Sequence, residues 1–333
     1  MNEIYENQRD IVLSTRVRLA RNLADTPFPA KLDQAGRKKV CGLIRGAAQG
    51  WMPALQWIDM GELPRTQAIS LAERRLISAE FAGQGEGSAL LLSPDERVSI
   101  MLCEEDHLRI QAYGMGLDLR ETYAIADQID TALSAKLGFA FDERLGYLTQ
   151  CPTNLGTAMR ASVLLHLPAL ARLGRVGRLG ESISKLGLTI RGAFGEGSDA
   201  EGALFQLSNQ VTLGIGEQAA LENLHTITLQ IADQERRAQA ELLKDPGMEN
   251  KVWRALGLLL YARRLDSGET IQLLSLAALG ASGGALDVPL ETIYRLMTDT
   301  LPATLTLSQN LDETSDRDFV RAEKIRSMLN AKC

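Results

Sequence analysis

No stretch of the chain approaches the roughly 18 consecutive apolar residues of a membrane-spanning helix. The opening MNEIYENQRD carries three acids and lacks the apolar core of a secretory signal. Neither export nor a membrane span is expected. Cysteine is scarce: Cys41, Cys103, Cys151 and Cys333 have no metal-type spacing, and four are too few for a disulfide scaffold in a chain this long. That points to a reducing, cytoplasmic setting. Positive charge is not in excess, since 36 Lys and Arg stand against 42 Asp and Glu, a formal charge of −6. Diffuse nucleic-acid or acidic-membrane binding is disfavoured, and a local basic pocket stays open. The G-x-x-x-x-G-K-[ST] loop is also missing, which removes the P-loop route to phosphate binding.

What is present is the composition of a folded protein, 45% hydrophobic and 23% charged. At roughly 150 residues per domain, 333 residues suggest about two domains. Residues 11–22 alternate with period two, placing Leu13, Thr15, Val17 and Leu19 on one side and Ser14, Arg16, Arg18 and Ala20 on the other. This predicts a half-buried strand with two arginines on its open face. Helices are predicted over 31–50 and 118–137, and over NLGTAMRASVLLHLPAL, capped by Thr153 or Asn154 and ending near Pro168. SALLL, a turn at 93–96 and RVSIMLCEEDHLRIQAYG predict a hairpin with a long second arm carrying Glu105, His107, Arg109 and Gln111 on one face. LGLTIRGAF predicts a further strand, and from 217 onward the pattern is helical. The expected organisation is a mixed α/β domain over 11–243 and an all-helical domain over 244–333.

Five arginines, Arg16, Arg18, Arg109, Arg160 and Arg191, fall on strands or at strand-to-helix junctions. A planar, permanently charged fork suits phosphate oxygens, so convergence of several would make a polyphosphate site; the alternative is a set of surface charges. Gly195-x-Gly197-x-x-Ala200 imitates a dinucleotide fingerprint, but no regular βαβ alternation follows and Glu196 would oppose a diphosphate. In Glu104-Glu105-Asp106-His107 and Arg109, acids and bases alternate. At ~3.3 Å per residue, Glu105 and Arg109 would lie about 13 Å apart, a base at one end and a phosphate clamp at the other. A solvated strand end with local ion pairs is the competing reading, and His107 reads as a positioning or packing residue. Cys151, placed before a predicted helix N-terminus, reads as either a reactive thiol or a small buried residue.

Taken together, STRVRLARN, EEDHLRIQ, GYLTQCPTNLGTAMRASVLLHLPAL and RGAFGEGSDAEGALFQLSNQVTLG resemble the catalytic domain of phosphagen (guanidino) kinases. Within that superfamily the chain is most similar to the bacterial protein-arginine kinases. The C-terminal Arg317-Asp318-Phe319-Val320-Arg321-Ala322 fits their RDxxRA phosphoarginine-binding motif. The resemblance implies a glutamine-synthetase-like α/β fold, an antiparallel sheet flanked by helices, with an all-helical C-terminal domain. It implies ATP and Mg²⁺, with nucleotide held by Ser14, Thr15, Arg16, Val17 and Arg18, by Arg109, by Arg160, Ala161, Ser162, Val163 and Leu164, and by Arg191, Gly192, Ala193, Phe194, Gly195 and Glu196. Glu105 would be the catalytic base, Glu196 the second carboxylate around the substrate guanidinium, and Cys151 would stand beside it. Arg75 stands where the family commonly has a histidine that touches nucleotide. Arg317, Asp318, Arg321 and Ala322 would take phosphoarginine; on pattern alone they also suit an ordinary solvated helix laced with ion pairs.

The implied activity is transfer of the ATP γ-phosphoryl group to arginine on protein substrates. An N-terminal helical domain that would close over a small substrate is not expected, which favours an open approach for a protein-borne side chain. A free guanidino-compound kinase and a phosphoarginine-reading adaptor are the alternatives. The implied partners are a zinc-binding activator adaptor, a Clp-type ATPase and a heat-shock repressor, with no direct nucleic-acid or membrane contact. Oligomeric state stays open, a homo-oligomer bridged through the phosphate pocket being one arrangement.

Overall fold

The computed structural model describes residues 8–49, 55–193, 200–312 and 315–330. Strand β1 (Val12–Arg21) leads to α1 (Gln34–Ala48), β2 (Gln56–Asp59), α2 (Arg65–Glu73) and α3 (Ala79–Ala82). Strands β3 (Ala89–Leu92), β4 (Val98–Leu102) and β5 (Leu108–Met115) follow, then α4 (Leu119–Ser134) and the short pair β6 (Phe141–Asp142) and β7 (Gly146–Tyr147). Next come β8 (Met159–His166), α5 (Pro168–Arg172), α6 (Val176–Ser184), β9 (Leu188–Gly192) and β10 (Leu204–Asn209). The remainder is helical: α7 (Glu217–Leu242), α8 (Pro246–Tyr261), α9 (Ser267–Ser282), α10 (Leu290–Asp299), α11 (Pro302–Ser308) and α12 (Arg317–Asn330). Among the described residues no helix is long and apolar enough to cross a membrane.

Eight strands form one sheet in the order β2-β3-β4-β5-β1-β8-β10-β9. The pairs β2–β3, β3–β4, β4–β5 and β5–β1 are antiparallel, and α4 packs on β5, giving the expected sheet flanked by helices. The alternation of β1 appears as expected: Thr15, Val17 and Leu19 are buried, while Arg16 and Arg18 lie half-buried on the other face. Its register sets Arg16 opposite Tyr113, Arg18 opposite Gln111 and Ala20 opposite Arg109. Arginines on β1 therefore share a face with Arg109 on β5.

The chain divides into two compact units, one of Ser14–Ser162 and Ser208–His225, the other of the residues up to Leu13, Val163–Leu207 and those from Thr226 onward. In the first, Met60, Leu71, Leu76, Phe81, Leu90 and Met101 form a core cluster. In the second, α8 and α9 are capped by Asp245 and Asp266, whose carboxylates accept from the Gly247 and Glu269 amides at 3.0 and 2.8 Å. The two helices pack against each other, and a Cβ at Gly280 on α9 would collide with Val252 on α8.

Two local expectations are corrected. Residues 154–168 do not form a helix; a three-residue 3₁₀ turn, Pro152–Asn154, leads into strand β8, and the helix begins at Pro168 instead of ending there. Most of β8 is buried on both faces, so its apolar run lacks the period-two signature and reads equally well as helix. The long second arm is also broken. Cys103, at φ +57°, donates its amide to the His107 carbonyl at 3.0 Å, closing a turn that separates β4 from β5.

Candidate active site

Four arginines from three strands gather on one face: Arg16 and Arg18 of β1, Arg109 of β5 and Arg160 of β8. The sign of their meeting is electrostatic. Burial, reinforced by the like charges of Arg16, Arg160 and Arg109, holds the Arg18 guanidinium well below its ordinary pKa. Its Nε is buried with no hydrogen-bond partner among the described residues. Arg160 is steadied from β10, its Nε and Nη2 donating to Ser208 Oγ at 3.3 and 3.1 Å.

Arg75 joins this group through its backbone. It follows α2 with φ +66°, a left-handed conformation that costs a non-glycine residue about 1 kcal/mol. Its carbonyl accepts from Arg16 Nη1 at 3.4 Å and from Tyr113 Oη at 2.6 Å. The adjacent Leu76 carbonyl accepts from Gln111 Nε2 at 2.8 Å and Ser99 Oγ at 2.5 Å. Burial and the nearby Arg16 charge bring the Arg75 guanidinium down to about 9. Tyr113 was not among the residues singled out from sequence, although it is the next position after Arg109 and Gln111 in the period-two series.

The acidic residues occupy the turn between β4 and β5, so Glu105 and Arg109 are not 13 Å apart along an extended strand. Arg109 folds back onto the turn, its Nη1 2.8 Å from Glu104 Oε2 and its Nη2 2.8 Å from Glu105 Oε2. Ser78 Oγ, which caps α3, also donates to Glu104 Oε1 at 2.6 Å. Glu104 is thus buried and satisfied, whereas the Glu105 side chain remains 36% exposed. Partial burial pushes the Glu105 carboxyl above its ordinary range, Arg109 opposes this, and Asp106 and Glu104 add to it. An accessible carboxylate with raised proton affinity is suited to general-base work. His107 is fully buried, its Nδ1 accepting from the Leu23 amide at 3.0 Å and its Nε2 facing the Pro27 carbonyl at 2.9 Å. Burial lowers its pKa, so it serves as a neutral positioning residue.

Cys151 is half-exposed, with Sγ 3.0 Å from Thr153 Oγ1. The macrodipole argument for a reactive thiol falls away, because a single 3₁₀ turn has few aligned peptide dipoles. Its loop is held at close quarters instead. Gly146 and Gly156, at φ +72° and +96°, stack backbone on backbone, and a Cβ on Gly156 would collide with the Thr212 carbonyl. Thr212 Oγ1 donates to the Leu155 carbonyl at 2.7 Å and the Thr153 carbonyl at 3.1 Å.

The other residues singled out fall in different places. Thr15 and Val17 turn to the buried face, where Thr15 Oγ1 donates to the Gly116 carbonyl at 2.7 Å. Ala161, Ser162 and Val163 are likewise buried, whereas Arg160 and Leu164, on the Ser162 side of β8, are half-buried, as is Ser14. Arg191 is exposed on β9, and Gly192 and Ala193 are half-exposed. Phe194, Gly195 and Glu196 lie outside the described residues, as does Cys333. At the C-terminus, Arg317 is exposed and Ala322 buried. Arg321, 2% exposed, donates to the Thr300 and Leu265 carbonyls at 3.0 and 2.8 Å and pairs with Asp318 at 2.6 Å.

Comparison with known proteins matches residues 39–238 to the model of the ATP:guanido phosphotransferase C-terminal catalytic domain. Residues 246–332 match the protein-arginine kinase McsB C-terminal domain. The chain is 43% identical over 329 residues to the protein-arginine kinase of Halothermothrix orenii, covering 97% of this chain and 94% of the relative. It is 43% identical over 333 residues to that of Desulforamulus reducens, covering 97% and 93%. Among solved structures, the duplicated taurocyamine kinase from Schistosoma mansoni with bound transition state analog components superposes with a TM-score of 0.62 at 25% identity, over 77% of this chain and 40% of that one. Lombricine kinase gives a TM-score of 0.62 at 21% identity, over 70% and 68%. By sequence over nearly its full length, and by the fold just described, the chain belongs to the protein-arginine kinase family of ATP:guanido phosphotransferases.

Proposed function

We propose that this protein transfers the γ-phosphoryl group of ATP to arginine side chains presented on other proteins, in the cytoplasm. The observation that carries this reading is Arg18, half-buried with its Nε out of solvent and crowded by Arg16, Arg109 and Arg160. Positive charge concentrated away from water is costly until an anion neutralises it, and a triphosphate supplies several oxygens to such forks. We assign Arg16, Arg18, Arg75, Arg109 and Arg160 to the nucleotide, with Ser14, Ser162 and Leu164 on the same faces. Arg191 to Glu196 join them on sequence grounds. Mg²⁺ would enter on the phosphates, where it adds charge neutralisation, since it keeps waters and substrate oxygens in preference to an all-protein cage.

A guanidinium, with a pKa above ~12, is protonated and poorly nucleophilic, so its phosphorylation needs a carboxylate to orient it and accept a proton. Glu105 is that carboxylate in our reading. It already accepts from a guanidinium, Arg109, at 2.8 Å. An arriving triphosphate would compete for Arg109 and leave Glu105 to the substrate arginine. Glu196 would be the second carboxylate, with Cys151 beside it. Residues 11–243 then form the catalytic domain and 244–333 a regulatory domain. In that domain Arg317, Asp318, Arg321 and Ala322 would take phosphoarginine; the exposure of Arg317 favours this, and the internal bonds of Arg321 favour a structural part for it. The zinc-binding adaptor, Clp-type ATPase, heat-shock repressor and homo-oligomer suggested by the resemblance belong to the same proposal.

Incubation with Mg²⁺-ATP and casein should yield acid-labile phosphate on arginine, and Glu105→Ala should reduce the rate by about 10²- to 10⁴-fold. Labelling confined to serine, threonine or tyrosine would overturn the proposal. The likeness to taurocyamine kinase favours a second reading, a kinase of free guanidino compounds. ADP release with free arginine or creatine and no protein present would support it.

A further inference from the structure

We infer that Asp106 is a positioning residue that locks the Glu105 turn to the Cys151 loop through one carboxylate oxygen. The inference rests on the proposed roles of those two neighbours. Asp106 is fully buried, and its Oδ1 accepts from the Gln150 amide at 2.8 Å and from Asn22 Nδ2 at 2.7 Å. Glu105 therefore sits one residue before this clamp, and Cys151 one residue after the amide it holds. Asn22, just beyond the end of β1, completes the bracket: its Oδ1 accepts from the His107 amide at 2.9 Å, and its Nδ2 also donates to the Leu148 carbonyl at 3.0 Å. The arginine-bearing strand, the acidic turn and the cysteine loop are thereby tied at one point.

Fold closure alone does not require an acid here. Asparagine would still offer one oxygen to the same two donors, as a neutral and weaker acceptor. The second oxygen of Asp106, Oδ2, is buried with no hydrogen-bond partner among the described residues, and no cation pairs with the carboxylate there. Adjacent His107 is held neutral by burial, with both ring nitrogens engaged by backbone groups. A buried carboxylate with an orphaned oxygen costs stability, so its presence points to a use for the charge. The charge is one residue from Glu105, which is also flanked by Glu104 and by Arg109 of β5, and after burial and the opposing Arg109 it adds to the rise in the Glu105 pKa. Asp106 therefore fixes the place of the base and contributes to its proton affinity.

Asp106→Asn in the full chain separates charge from shape. With the fold intact by circular dichroism, we expect a roughly tenfold lower kcat, as a charge-assisted acceptor becomes neutral. The acid limb of the kcat/KM profile should move to lower pH, and alkylation of Cys151 by iodoacetamide, followed by mass spectrometry, should accelerate. Asn22→Ala, which loosens the bracket and keeps the charge, should accelerate alkylation with the acid limb unmoved. A folded Asp106→Asn protein with the parental acid limb and alkylation rate would overturn the inference. Should that variant not fold, an unchanged alkylation rate in Asn22→Ala would do the same. Absence of arginine phosphorylation by the parental protein would defeat the proposed function instead, and the alkylation arm would still report on the clamp.

Discussion

Two arginines, the half-buried Arg18 in the sheet and the buried Arg321 in the C-terminal helices, carry the same charge in opposite circumstances. Arg321 has spent its donors internally, on two carbonyls and on Asp318. Arg18 has like charges for neighbours and an Nε with no hydrogen-bond partner among the described residues. A guanidinium satisfied by its own chain is part of the architecture, whereas one crowded by its own kind is suited to an anion from outside. Sequence cannot draw this distinction, because both residues lie in segments with several arginines and a guanidinium in either suits phosphate equally well.

The sharpest way to break the contrast is to replace each in turn. Arg18→Met keeps the bulk and removes the charge, so ATP-dependent phosphorylation should fall by about 10²- to 10³-fold in kcat/KM. Its stability in urea should be unchanged or higher by about 1 kcal/mol, since a like-charge burden is lifted. Arg321→Ala should behave in the reverse sense, losing about 3 kcal/mol of stability because buried carbonyl acceptors are abandoned. Activity per folded molecule should persist. Loss of phosphoarginine-peptide binding by that variant at undiminished stability would recast Arg321 as a ligand contact. The smallest expected effect concerns His166, buried beside Ser275 and held at about 3 by desolvation. Its folded pKa lies below the unfolded value of ~6.5, so the unfolded chain binds the extra proton and stability is lost as pH falls below ~6.5. About 2 kcal/mol should disappear between pH 6.5 and 5, and His166→Gln should flatten that slope in denaturant titrations.

Much of the sheet was legible because exposure on one face imposes period two. In β1 this separated Arg16 and Arg18 from Thr15 and Val17 directly. The same rule fails for β8, most of which is covered on both sides, so its apolar run suits a helix as well as a strand, and the helix N-terminus expected after Cys151 is a single 3₁₀ turn instead. The break after Leu102 was illegible for another reason: Cys103 adopts φ +57° with no glycine or asparagine to announce it. Family resemblance singles out the arginines and Glu105, but how these side chains are arranged is tertiary. The pairing of Arg109 with its own acidic turn, the Tyr113 contact to Arg75 and the clamp at Asp106 depend on residues that meet only after folding.

The crossing of Gly146 and Gly156 has a consequence in the genetic code. Every amino acid reachable from a glycine codon by one nucleotide change carries a Cβ, and at either position that atom would strike the neighbouring backbone. Neither codon has a tolerated missense neighbour, so drift at these two sites is closed to single steps however freely the surrounding loop diverges.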